Sequence, residues 1–453
     1  MREIHQLRDV QSWMDSGMKL STACNETAKL YDAAVSQLAG WYDNKQLDGL
    51  ESTLKKMMEA DPQFIAGRSL KHSLEVIGGS NIKNNPTLEK NIERLASDVE
   101  SNSNTCGEWE KLHVKALQFS SMGNAEAAVR QWEEILIEYP SDILSLHLAG
   151  MTCLINGTME KVSGISGRIL PSFEDEHSLS SIHAWHSFGL SEINLLPQAE
   201  RHARIGISLE PKNGFSTHAM AHVFEMTSRY DDGIAYMNDN ETLWNFSNHI
   251  AGHNYWHWSL YYLTKGEFES AADVLDQKLL NRPDFGRFDS LTLSYLLAME
   301  DYSISDVMQK HGDRYEDIIK QNQANHYRSF NDVRIMMGLC VSKKYDEAEQ
   351  FMTESKGSEC IHGRNVNENL LTSIWSYSRE MYEDCVELLW PIRYNIKQIG
   401  GSEAQRDVFS LMLIHACLRS KKVKHNRLAS QLIEEREIHR MKSPLVDRLR
   451  RLL

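Results

Sequence analysis

The chain has 453 residues, 41% of them hydrophobic and 25% charged, with only 9 prolines and 25 glycines, which excludes a largely disordered or collagen-like polypeptide. Its 63 acidic and 49 basic residues give a formal charge of −14, so the chain as a whole lacks the positive field that nucleic acid requires. No stretch approaches the roughly 18 apolar residues of a membrane span, the cysteines form no C-x-x-C pair, and the charged start MREIHQLRDVQSWM is unlike a secretory signal, so a cytoplasmic protein with no membrane partner is expected.

In chain order, residues 1–107 hold N-terminal helices with one degenerate repeat, LYDAAVSQLAGWYDNKQLDGLESTLKKMMEADP, closed by Pro62, and loops at 78–87 and 97–107. The clearest unit follows at 108–141. Leu112, Ala116 and Phe119 space out a first helix, Gly123 and Asn124 break it, and Ala128, Trp132 and Ile135 space out a second before Pro140. Steps of three and four put each set on one helical face. Small Ala116 and Ala128 let the backbones approach and Trp132 fills the space between turns, which is the tetratricopeptide pattern of about 34 residues. It recurs at 180–213, with Leu190, Ala199, Ala203 and Pro211, and at 252–285, with Tyr255, Tyr262, Gly266, Phe268, Ala271 and Leu275. The three starts stand two repeat lengths apart, which predicts a degenerate helix pair in each gap, at 143–171 and 214–246. Beyond Pro283, KKYDEAEQF and EMYEDCVELL keep the aromatic-x-x-small opening of a second helix. The expected fold is an all-α tetratricopeptide-repeat solenoid of stacked antiparallel helix pairs, in segments 1–107, 108–285 and 286–453.

Histidines crowd between His183 and His257. With Gly233 at the small-residue position, Thr217, Met220, Ala221 and Phe224 form a packing face, and His218, His222 and Glu225 share the opposite, groove-facing stripe. In the next unit His253, Trp256 and Leu260 take that stripe, with His249 one turn earlier and His257 at its margin. Two imidazoles four residues apart can ligate one ion, with Glu225 as a third ligand or as a base. The H-x-x-x-H-x-x-E spacing is neither the H-E-x-x-H of zinc proteases nor the E-x-x-H of di-iron bundles. Neutral rings exchanging hydrogen bonds along a polar groove account for the same residues. Spacing alone therefore assigns no metal ligand and no cofactor. A second polar set lies in GGSEAQRDVF, where Ser402 can cap a helix whose first turn carries Gln405, Arg406 and Asp407; Arg406 can clamp an anion or pair with Asp407 or another acid. The basic tail from Arg419 to Leu453, with Lys421, Lys422, Lys424, Arg448, Arg450 and Arg451, reads as a solvated terminal helix. Phosphate loops, dinucleotide fingerprints, nucleophile elbows and kinase motifs are absent.

THAMAHVFEMTSRYDDGIAYM, HNYWHWSLYYLTKGEF, FNDVRIMMGL and GGSEAQRDVFSLMLIHACL, with the early LSTACNETAKLYDAAVSQLAGWY, resemble the signature segments of the tetratricopeptide repeat protein 38 family from about Leu20 onward. The resemblance implies a tetratricopeptide solenoid and a family of undefined biochemical role. Its A-H-x-x-E-M falls on Ala221, His222, Glu225 and Met226, its H-N-x-W-H on His253, Asn254, Trp256 and His257, and its A-Q-R-D on Ala404, Gln405, Arg406 and Asp407. The family's F-N-D-x-H segment has Arg334 in place of its histidine, which puts in doubt any ligand from that helix. Two functions follow as expectations: a helical-repeat scaffold binding a protein, peptide or small ligand in a histidine-rich concave groove, or a groove enzyme, metal-assisted, using His218, His222 and Glu225.

Overall fold

The computed structural model describes residues 7–79, 85–101, 105–248, 250–282, 287–322, 326–357, 363–440 and 442–453. His249, Pro283, Cys360 and the expected boundary at 285/286 lie outside them. Within them the chain is helical, and successive helices join through short turns and pack on their neighbours.

The pair at 108–141 shows why. Glu108–Ser121 and Ala125–Glu138 are separated by Gly123, whose φ of +75° costs a residue without a Cβ little, and by Asn124, whose side chain accepts from the Ala127 amide. Ala116 and Ala128 are completely buried, so the two backbones close up, and Trp132 fills the gap they leave. The helix pairs Glu176–Ser191 with Leu196–Leu209 and Ala251–Lys265 with Phe268–Val274 occupy the other two strong units. Both gaps contain helix pairs, Ile143–Asn156 with Glu160–Ile169 and Gly214–Met226 with Tyr230–Asp239. Later pairs follow: Ser329–Val341 with Tyr345–Gly357, Arg364–Ser378 with Tyr382–Ile392, and Glu403–Arg419 with Val423–His439. The loop expected at 97–107 begins later, because Leu88, Ile92 and Leu95 form a buried stripe that carries the helix Pro86–Ser101 through. Among the described residues no helix is long and apolar enough to cross a membrane.

Two compact units divide the chain, and the division falls inside the Gly214–Met226 helix, within the expected central segment. The first takes Met1–Leu154, Thr158–Ala219 and Phe246–Asn248. Its interior is aromatic: Trp13 lies 5.7 Å from Trp109, Tyr31 stands edge-on to Phe64 at 5.4 Å, and Trp41 stacks on Phe215 at 4.9 Å. Its histidines His183 and His202 share a 2.8 Å contact between their Nδ1 atoms, with the His186 ring 4.5 Å from His202.

The second unit takes Ile155–Gly157, Met220–Asn245 and His249–Leu453. Its basic tail is solvated only in part: Lys421, Lys422, Lys424 and Arg451 are exposed, whereas other cations turn inward. Arg448 donates to the carbonyls of Leu263 and Thr264, at 3.1 and 3.0 Å, closing the C-terminal end of the Ala251–Lys265 helix. Arg436 and Arg440 turn inward as well, as described next. A buried carbonyl end and buried carboxylates draw these cations in, since neither can be left uncompensated in the interior.

Candidate functional site

The centre of the second unit is built on two helices. Gly214–Met226 is buried along its whole length, because Phe215, Ala219, Val223 and Met226 make it apolar on the faces opposite its packing stripe too. His222 is 1% exposed and Glu225 7%, so the stripe expected to face an open groove is interior. Tyr261 holds this helix to Ala251–Lys265 by donating to the Ala221 carbonyl at 2.8 Å, and Gly233 makes room for the Tyr261 ring. That docking sets His222 beside His257, their ring centroids 4.5 Å apart, with His253 4.8 Å from His257 one turn away. One ring nitrogen from each of His222, His253 and His257 lies within 4.8 Å of the others.

A carboxylate fixes each of the two rings on the second helix. Nδ1 of His257 donates to Glu225 at 3.0 Å, and Nδ1 of His253 donates to Asp289 at 2.8 Å. Arginines back both acids: Arg334 donates to Asp289 at 2.9 Å, and Arg440 lies 4.0 Å from Glu225 and 3.5 Å from Glu403. Trp256 stacks flat on His253 at 5.0 Å and is itself buried. Burial, followed by the neighbouring His257 and His253, pushes the His222 pKa well below its ordinary value. Burial also lowers that of His257, against the opposing pull of the Glu225 hydrogen bond. For Asp289 burial acts upward, but His253 and Arg334 together outweigh it and hold the carboxyl below the usual range. His222 and His257 are thus neutral at physiological pH, each with one nitrogen lone pair to offer.

The other expected site residues are placed differently. His218, one turn before His222 on the same helix, belongs to the first unit, where it packs on Phe188 at 5.0 Å and Phe215 at 5.4 Å. Gln405 serves the cap: the Ser402 amide donates to its Oε1 at 3.0 Å while the Ser402 hydroxyl accepts from the Gln405 amide. Arg406 donates to the carbonyls of Gly400 and Gly401, holding the glycine turn. Asp407 takes a two-pronged contact from Arg436, both distances 2.6 Å. Asp407 approaches the centre, with Ala404 and Val408 of the same motif, through a small cavity of about 20 Å³ that they line with Glu225, Arg436 and Arg440. A larger cavity of about 160 Å³, lined by Glu403, Tyr394 and Arg393, shares Asp407, Arg436 and Arg440 with the small one.

Sequence reasoning missed Asp289, Arg436, Arg440 and Glu403. A lone acid in RFDSLTLSYLLAM and a lone arginine in NDVRIMMGL were the available signals, since an isolated charge in an apolar helix needs a buried partner. Arg334 supplies an orienting cation where a ligand was in doubt. Compared with models of known protein families, the chain matches none.

Proposed function

We propose that the chain is a cytoplasmic helical-repeat protein of tetratricopeptide type, related to the tetratricopeptide repeat protein 38 family, that binds a small ligand in the interior of its second unit. Repeating helix pairs with alanine or glycine at equivalent contact points support the repeat type. The polar motifs that carry the family resemblance, A-H-x-x-E-M and H-N-x-W-H, supply the residues of one centre, His222, Glu225, His253 and His257.

The observation that carries the reading is the burial of His222, Glu225 and His257 together with the pairing of His253 and His257 to carboxylates. A face built to hold a protein helix or peptide would leave its recognition groups in contact with solvent in the free protein. Here His257 is 0% exposed, and the adjoining cavity of about 20 Å³ has room for a water-sized group. Glu225 is committed to His257, so in the enzymatic alternative it acts as a positioning group.

Native mass spectrometry of the full chain tests this. The expected result is a folded mass exceeding the denatured mass by a small retained species, lost in His222→Ala with helix content unchanged. Equal native and denatured masses, with a protein partner captured equally by wild type and by the His222→Ala/Glu225→Ala double variant, would overturn it.

A further inference from the structure

We infer that the imidazoles of His222, His253 and His257 bind one divalent transition-metal ion, zinc foremost; this rests on the small-ligand reading of the same centre. Three imidazole nitrogens on two helices are a borderline-soft set that suits Zn²⁺ and does not suit Mg²⁺ or Ca²⁺, which take oxygen.

Distances come first. Tetrahedral Zn²⁺ with bonds of about 2.0–2.1 Å sets its ligand nitrogens about 3.3 Å apart. The three rings offer nitrogens no more than 4.8 Å from one another. Closing an equilateral triangle of that size to the bound spacing moves each nitrogen inward by less than about 1 Å, within reach of side-chain torsion alone.

Proton placement comes second. A ligating histidine characteristically donates its other ring N–H to a carboxylate, which fixes the tautomer and strengthens the ligand. His253 and His257 both do so, through Nδ1, to Asp289 and Glu225. That leaves Nε2 of each as the lone-pair nitrogen.

The third point concerns the acids. Arg334 and Arg440 hold Asp289 and Glu225 from behind, so both carboxylates are fixed as orienting groups outside the ligand set. His222 is carried by the Gly214–Met226 helix and the other two rings by Ala251–Lys265, so ion binding also ties the two helices together.

The test uses the full chain, stripped with a chelator and titrated with Zn²⁺ or Co²⁺. Wild type should take up one ion per chain, with the visible absorption of tetrahedral cobalt, and lose both in His257→Ala and His222→Ala. Glu225→Gln and Asp289→Asn keep side-chain size and leave every ligand in place; they should weaken Zn²⁺ by about 10–100-fold, a change that a merely structural role for these acids would not produce. Failure of folded wild type to take up either ion, or uptake undiminished in both histidine variants, overturns the inference. A retained species in native mass spectrometry that is not a metal ion overturns it while the small-ligand reading stands; no retained species and no uptake sink both.

Discussion

Gly233 decides how closely the two helices of the histidine centre meet, and Gly233→Ala tests that directly. A Cβ at this position would stand 2.7 Å from Cε2 of Tyr261 and 3.0 Å from its Cδ2 and Cζ, closer than real contacts allow. Tyr261 is fully buried and donates to Ala221, the neighbour of His222, so the ring cannot move without loosening that hydrogen bond. Overpacking of this kind costs about 1–3 kcal/mol, and the hydrogen bond adds about 1 kcal/mol. The gain from replacing glycine by alanine inside a helix offsets about 1 kcal/mol of this. A net loss of about 1–3 kcal/mol is expected, read in urea melts of the full chain and localised by amide exchange of the 214–226 and 251–265 helices. Gly312→Ala is the control: its Cβ meets nothing within 4 Å, so the same substitution should leave stability level or raise it slightly. If Gly233→Ala stabilises the protein as Gly312→Ala does, the close approach of the helices at Tyr261 is not what positions His222 against His257.

Three more outcomes are expected. Burial, with His186 beside them, pushes His183 and His202 in the first unit down to about 4, so the unfolded chain binds more protons between pH ~6.5 and that value. Their stabilisation is complete above pH ~6.5 and lost as the pH falls toward 4, by up to about 2 kcal/mol per ring at pH 5; urea melts of wild type and His202→Gln at pH 7.5 and 5 should converge on acidification, and parallel curves would count against it. Arg436→Met strands the Asp407 carboxylate, which burial would raise but Arg436 holds low; a loss of about 3–5 kcal/mol is expected, largely recovered in Arg436→Met/Asp407→Leu, and equal losses in the single and double variants would refute the pairing. Trp132→Ala removes a side chain only 1% exposed from the 108–138 helix pair and should cost about 3–5 kcal/mol in thermal or chemical unfolding, whereas a cost below 1 kcal/mol would show that Trp132 does not fill the inter-helix gap.

The helix pairs were readable because their causes are local: Ala116, Ala128 and Trp132 sit at the spacing that makes two helices touch. His222, His253 and His257 were readable as a cluster for the same reason, being placed by helical periodicity. Their burial was not. A groove face was inferred from one packing stripe, but Phe215, Val223 and Met226 give the Gly214–Met226 helix a second apolar side, and no periodicity says how many neighbours a helix will have. The carboxylate and arginine partners were beyond local reading altogether, since Asp289 meets His253 from 36 positions away and Arg334 from 45. The tail looked solvated because its charges are counted in sequence, while Arg448 finds its acceptors at the end of another helix.

Repeat arrays ordinarily come apart piecemeal, because each repeat touches only the next. The chain of contacts from Glu225 to His257, then from His253 to Asp289 and on to Arg334, advances by 32, 36 and 45 residues, so it is a polar rail laid along successive repeats. Arg440 joins Glu225 from near the far end of the chain, and Arg448 does the same for Leu263 and Thr264. Such a rail makes fraying costly: opening one repeat leaves an acid or a guanidinium of the next without its counter-charge. The second unit is thereby committed to melt as one cooperative block, and truncating its last helices should be felt at the histidines, far upstream, before it is felt in the repeats between.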